Sequence, residues 1–170
     1  MTSPFFMAFL PELVLLAGGL ALFFVTLGEG LARRARLIAT ATALVALAAA
    51  VAGLGREAVL FSGAYRVDLF SQVLKLVLTA GFAGVLGLSA QLPDIRQRIQ
   101  PEYFLFLTLS VTGLVLLVSC VDVVALVIAL ELSSFPLYLM VPMRREREGQ
   151  RSQMESAVKY IMFGVAANGV

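Results

Sequence analysis

The chain has 170 residues, 60% of them hydrophobic and 14% charged, with a formal net charge of +2 and a mean hydropathy of +0.94. That composition lies outside the soluble range, and a small net charge with the arginines placed between apolar runs argues for membrane topology and against nucleic acid as a partner. With no histidine and only one cysteine, Cys120, the chain has no ligands for histidine-bound haem or the usual zinc chemistry, and none for an internal disulfide or a cysteine-ligated iron–sulfur cluster.

The apolar runs predict an all-α, polytopic transmembrane helix bundle with six spans. The first covers about Phe9 to Leu27, the second Leu37 to Leu54, and the third Leu69 to Ala90. The fourth covers Tyr103 to Cys120, the fifth Val123 to Val141, and the sixth starts near Glu155. No basic residue precedes the first run, since Arg33 is the first positive side chain, so that run is expected to remain as a helix and not to be cleaved as a signal. Only sixteen residues remain for the sixth span, fewer than the roughly 20 a full crossing needs. The chain therefore reads as an N-terminal piece of a longer protein.

Proline and glycine punctuate these runs. Pro93, Pro101 and Pro142 fall at or beyond helix ends, where a missing N–H is tolerated. Pro136 lies inside the fifth span and predicts a kink or local loosening. Gly81, Gly84 and Gly87 form a small-residue stripe on the third span that would let another helix come close.

Nine arginines lie in the connections after the first, third and fifth spans: Arg33, Arg34, Arg36, Arg96, Arg98, Arg144, Arg145, Arg147 and Arg151. Only two, Arg56 and Arg66, lie after the second and fourth. The positive-inside rule then puts the odd-numbered connections in the cytoplasm and the N-terminus outside.

Three ionisable residues fall within predicted spans: Lys75, Glu131 and Lys159, with Glu12 nearer the edge of the first. Glu131 is nine residues from Asp122, or roughly 13 Å at the helical rise, close to the midplane of a hydrocarbon core of about 30 Å. A charge there costs about 2.5–3.5 kcal/mol on insertion scales. One account is an uncharged carboxyl hydrogen-bonded to Ser133, Ser134 or a backbone carbonyl. The other is a relay carboxylate whose charge is set by a lysine on an adjacent helix, so that moving either group changes the proton affinity of both. Lys159, one turn after Glu155 and able to pair with it, is the better lysine for that role. For Lys75 a snorkelling side chain competes. Glu12 and Asp122 suit helix capping, and Asp68 opens the third span as a partner for the helix dipole. Cys120 reads as a small buried apolar residue.

Several of these segments carry a resemblance. Ile128-Ala-Leu-Glu-Leu-Ser-Ser-Phe-Pro-Leu-Tyr-Leu-Met-Val141 and Glu155-Ser-Ala-Val-Lys-Tyr-Ile-Met-Phe163 resemble consecutive helices of the antiporter-like, proton-translocating membrane subunits of respiratory complex I. Leu10-Pro-Glu-Leu-Val-Leu15 and Asp68-Leu-Phe-Ser-Gln-Val-Leu-Lys75 resemble the N subunit of NADH–quinone oxidoreductase more than its L or M subunits.

The resemblance implies a whole protein of about fourteen helices with two inverted repeats of about five, each with a broken helix. Residues 1–102 would be the N-terminal helices one to three, and residues 103–170 the start of the proton-conducting repeat. Glu131, Lys159 and Lys75 would act as proton relay residues. The family's principal channel lysine lies on a later, broken helix, roughly 50 to 70 residues beyond the present chain. The implied activity is proton translocation coupled to electron transfer from NADH to quinone. This chain would bind no cofactor. NADH, FMN, iron–sulfur clusters and quinone would be held by partner subunits, and its own partners would be other membrane-arm subunits, the lipid bilayer and protons. The implied location is the bacterial inner membrane. A multisubunit cation/proton antiporter shares these helices, and a purely structural membrane subunit is the remaining alternative.

Overall fold

The computed structural model describes residues 4–28, 32–89, 95–143 and 150–168. Pro93, Arg144, Arg145 and Arg147 lie outside the described residues. Seven α-helices are present among those described: α1 (Pro4–Ala8), α2 (Leu10–Thr26), α3 (Ala32–Ala52), α4 (Leu69–Leu88), α5 (Gln100–Leu117), α6 (Val123–Met140) and α7 (Gln150–Asn168). Four segments are long and apolar enough to cross a membrane: Ala32–Ala52, Leu69–Leu88, Gln97–Leu117 and Val123–Met143. The shorter α2 is also apolar, and its 17 residues reach roughly 25 Å.

The helices start where the sequence supplies caps. Asp68 accepts the Ser71 N–H (2.8 Å), and the Ser71 hydroxyl oxygen accepts the Asp68 N–H (2.9 Å), a reciprocal capping box that starts α4. Asp122 accepts from Val124 and Ala125 N–H (2.9 and 3.0 Å) and starts α6. Pro11 and Pro101 occupy the first turns of α2 and α5, where no intrahelical N–H bond is lost.

Beside an apolar core that includes Leu15, Leu22, Phe82 and Phe104, a set of polar side chains faces in and many large apolar ones face out. Thr42, Gln72, Thr79, Thr108, Ser110, Thr112 and Ser133 are buried, whereas Leu20, Phe24, Leu44, Val77, Val124 and Ile128 are exposed. The threonine hydroxyls are satisfied on their own helices: Thr79 donates to the Lys75 carbonyl (2.8 Å), Thr108 to Phe104 (2.8 Å) and Thr112 to Thr108 (2.7 Å). In water this arrangement would waste apolar burial. In lipid it is the economical one, because the solvent is apolar and every polar group must find a partner inside. The chain is a membrane helix bundle.

Small residues set the closest helix contacts. Ala35, Ala39, Ala43 and Ala46 form one fully buried face of α3. Gly18 of α2 sits directly against Thr42 of α3, and Gly113 of α5 against the backbone of Leu132 and Ser133 on α6. The α5–α6 approach lets the Ser110 hydroxyl donate to the Ser133 carbonyl (2.7 Å). Gly81, Gly84 and Gly87 behave differently from expectation: a Cβ on any of them would meet nothing within 4 Å. Among the described residues the intimate packing is elsewhere.

Two features were not expected from the sequence. The connection between α3 and α4 is a β-hairpin, β1 (Ala58–Leu60) pairing antiparallel with β2 (Tyr65–Val67). It docks on the segment after α5: Arg66 N–H donates to the Ser119 carbonyl (2.8 Å) and Val121 N–H to the Ala64 carbonyl (2.9 Å). The second is that α3 begins at Ala32 and α7 at Gln150, five residues before each predicted start, because arginines and glutamines continue a helix beyond its apolar part. That polar turn leaves α7 outside the set of helices apolar enough to span.

The bundle therefore has two distinct ends. The hairpin, with Arg56 and Arg66, joins the α5–α6 connection at one. At the other, Thr26 at the end of α2 and Gly28 after it share a cavity of about 610 Å³ with Ala32, Gln97, Arg98 and Glu102.

Candidate functional site

Glu12 lies in the first turn of α2, yet it caps nothing. Its Oε1 lies 2.7 Å from Lys75 Nζ on α4, with the two side chains 0% and 2% exposed. The Tyr65 hydroxyl, from β2, donates to the same oxygen at 2.6 Å. Lys75 Nζ also stands 5.1 Å from the Tyr65 ring centroid, within cation–π range.

The hairpin explains the burial. Glu12 is the third residue of α2 and Lys75 is six residues after Leu69, so both lie within about 9 Å of their helix starts, where a lysine normally snorkels to water. Here Tyr65 covers them, held by Phe9 (ring centroids 5.4 Å, interplanar 84°) and by the pairing with Cys120. Gln72 ties the roof to α4: its side-chain oxygen accepts the Gly55 N–H (2.7 Å) and its amide donates to the Arg56 carbonyl (2.6 Å). Gly55 adopts φ +78° there, a conformation that favours glycine.

Burial, then the negative charge of Glu12 and its hydrogen bond, push the Tyr65 phenol well above its ordinary range. It therefore remains a donor to Glu12 at any physiological pH. Burial also raises the Cys120 thiol, with Asp122 adding to it and Lys75 opposing it. The capping bonds from Ser71 hold the Asp68 carboxyl below its usual range.

The polar groups at this site are not all satisfied. Lys75 Nζ is close to Glu12 Oε1 but misaligned for a hydrogen bond, and Glu12 Oε2 and the Ser119 hydroxyl are buried without a hydrogen-bond partner. The short distance establishes the ion pair.

Glu131 is half-buried on α6 in the turn where that helix is least regular in its bonding. The hydroxyls of Ser133 and Ser134 both donate to the Leu130 carbonyl (2.7 and 2.9 Å). Pro136 has no N–H for the Leu132 carbonyl. The helix nevertheless continues through Pro136 to Met140. Lys159 pairs with Glu155 at 2.6 Å across one turn of α7, both side chains about two-thirds exposed at 64% and 65%. Tyr160, beside it, packs edge-on against Tyr138 (5.0 Å, 83°). Tyr138 is seven residues, about 10.5 Å, along α6 from Glu131 and on the same face.

The three residues singled out from sequence thus stand in three places: Lys75 with Glu12 under the hairpin, Glu131 in its own turn of α6, and Lys159 with Glu155 on α7. Sequence reasoning missed the parts played by Glu12 and Tyr65. The available signal was the charge at Glu12 in an apolar helix, opposite in sign to the charge at Lys75.

No protein-family model matches the chain. A protein of Opitutus terrae named NADH-quinone oxidoreductase subunit N 2 is 67% identical over 170 residues, which is 100% of this chain and 35% of that protein. A protein of the same name from Syntrophobacter fumaroxidans is 37% identical over 96% of this chain and 34% of its own length. The NADH-quinone oxidoreductase subunit N of Rhodobacter capsulatus is 32% identical over 100% of this chain and 35% of its own. The chain spans about a third of the length of these curated relatives. By this similarity over its whole length, the chain belongs to the family of NADH-quinone oxidoreductase N subunits.

Proposed function

We propose that this chain is part of a membrane-arm subunit of a proton-pumping NADH–quinone oxidoreductase, and that Glu131, Lys159 and Lys75 hold and pass protons within it. The observation that carries this reading is the 67% identity, over all 170 residues, to a protein named as subunit N of that enzyme. Electron transfer is assigned to partner subunits, which hold NADH, FMN, the iron–sulfur clusters and quinone. A chain with one cysteine and no histidine lacks the ligand set of a cluster. Its own partners are the other membrane-arm subunits and the lipid bilayer. The arginine-rich connections face the cytoplasm across a bacterial inner membrane.

The contribution of Glu131 rests on its position. Its turn of α6 has two hydroxyls on one carbonyl and, at Pro136, no N–H for the next but one. Such a turn can shift by a fraction of a residue at low cost. A shift changes the distance from the carboxylate to a neighbouring cation, and with it the carboxylate's affinity for a proton. Lys75 and Lys159 each already face a carboxylate, so each can hold a proton and release it when its partner moves.

Replacing Glu131 with Gln in the full-length, assembled complex tests the reading. Assembly should persist and proton pumping should be lost. Unchanged proton yield per NADH oxidised would sink the relay, and sodium–proton exchange without NADH or quinone would assign the parent to the antiporters.

A further inference from the structure

The group under the hairpin has more polar capacity than a structural clamp uses. Glu12 Oε1 is occupied by Tyr65 and Lys75, while Glu12 Oε2, the ammonium protons of Lys75 and the Ser119 hydroxyl are buried with no hydrogen-bond partner. Buried polar groups are satisfied as a rule, and a cluster of exceptions marks bound water or a functional group. Ser119 is placed by its carbonyl, which accepts the Arg66 N–H, and its hydroxyl lies beside the Tyr65 phenol.

We propose that Glu12, Lys75 and Tyr65 form a second proton-holding site, separate from Glu131, whose ligand is a proton carried by water. The added proton lands on Glu12 Oε2. The site then passes from a carboxylate–ammonium pair to a carboxyl beside an ammonium, gaining one positive charge, and release of the proton restores the pair; no electron moves. Tyr65 keeps its own proton and orients Glu12 through Oε1. The hairpin is the roof, and its bonds to Ser119 and Val121 and through Gln72 decide access from that end of the bundle.

The surroundings leave the pair to itself. α3 packs beside α4 with buried alanines. The titratable neighbours from other elements are Tyr65 on β2, and Cys120 with Asp122 after α5. Asp68 and the Arg56 backbone lie at the hairpin edge. The site rests on the proton-translocating reading above.

The test uses the full-length protein in the assembled complex, in sealed membrane vesicles, reading protons moved per NADH and the pH profile of pumping. The variants are Glu12→Gln/Lys75→Met, Tyr65→Phe and, as reference, Glu131→Gln. The double variant removes both charges together, leaving no buried ion without a partner. It should assemble normally and pump about tenfold more slowly or worse. Tyr65→Phe should assemble and move its pumping profile toward alkaline pH, because a hydrogen bond favouring the carboxylate is gone. A double variant that assembles and pumps like the wild type overturns the site. Should the double variant fail to assemble, an unchanged profile for Tyr65→Phe overturns it instead. Pumping lost with Glu131→Gln but kept with the double variant rejects this site and the part given to Lys75, leaving Glu131 as the relay; pumping kept in both rejects the reading beneath it.

Discussion

Glu12 Oε1 and Lys75 Nζ lie 2.7 Å apart on different helices, and neither side chain reaches the surface. Two charges in that setting depend on each other more than either contributes alone. Lys75→Met would leave the Glu12 carboxylate buried and uncompensated, at a cost of about 3–5 kcal/mol. Glu12→Gln together with Lys75→Met removes the problem, and should bring the cost close to zero. The apparent thermal midpoint of the detergent-purified full-length protein checks this. The single variant should fall well below the wild type and the double variant should recover; a single variant with a wild-type midpoint would show that the pair carries no stability.

Tyr65 gives the fold an alkaline limit. Its phenol titrates above the ordinary value of about 10 in the folded chain, so the folded state holds that proton more tightly than the unfolded state. The stability this provides is fully present below about pH 10 and is lost as pH rises toward the folded value. Tyr65→Phe keeps the ring contact with Phe9 but deletes a hydrogen bond to a charged group, at about 1.5–3 kcal/mol. Its unfolding midpoint should be lower at neutral pH, and its difference from wild type should shrink above pH ~10. A constant difference across that range would contradict the assignment.

How much of this was legible in the sequence differs by element. Long apolar runs announced the four helices that, among the described residues, are long and apolar enough to span, because lipid demands about 20 apolar residues and little else. The first and sixth expected spans fall short of that measure. Helix ends were less legible: Arg33, Arg34 and Arg36 continue α3 beyond its apolar part, and hydropathy alone cannot see that. The hairpin left no trace because its strands have three residues each, too few for an alternating pattern. It turns through Phe61, Ser62 and Gly63 at positive φ, and a lone glycine is too weak a signal to name a hairpin. The capping role of Asp122 was local and readable, and Asp68, read as a dipole partner at the start of its helix, also caps it. The Glu12–Lys75 pair joins residues far apart in sequence, whereas depth along a span drew attention to Glu131 and the nearby Glu155 drew it to Lys159. Likewise a glycine stripe on α4 is visible from spacing, but which glycine a neighbouring helix touches is a property of the assembled bundle.

Gly113 and Gly84 test that last point. A Cβ at Gly113 would run into the Ser133 backbone, whereas one at Gly84 would meet nothing. Backbone cannot move aside as a side chain can, so Gly113→Ala should cost roughly 1–3 kcal/mol and loosen the α5–α6 contact that carries the Ser110–Ser133 bond. Gly84→Ala has only the backbone term to change and should stabilise by about 0.5–1 kcal/mol. Opposite shifts in thermal midpoint are the expected result. A Gly113→Ala variant as stable as the wild type would mean the two helices pack less closely than described.

Pro136 tests whether the irregular turn around Glu131 matters. Pro136→Ala supplies the N–H that the Leu132 carbonyl lacks, completing the helical ladder across residues 132 to 136. One more bond of ordinary strength is worth about 1 kcal/mol, so amide exchange in this turn should slow by roughly fivefold. The Ser133 and Ser134 hydroxyls, already engaged on Leu130, need not move, and assembly should be unaffected. If Glu131 works by small displacements of its turn, the stiffer helix should also pump more slowly at unchanged NADH affinity. Slower exchange with undiminished pumping would leave Pro136 a packing residue, and Glu131 would then have to change its proton affinity through motion of a neighbouring helix instead of its own.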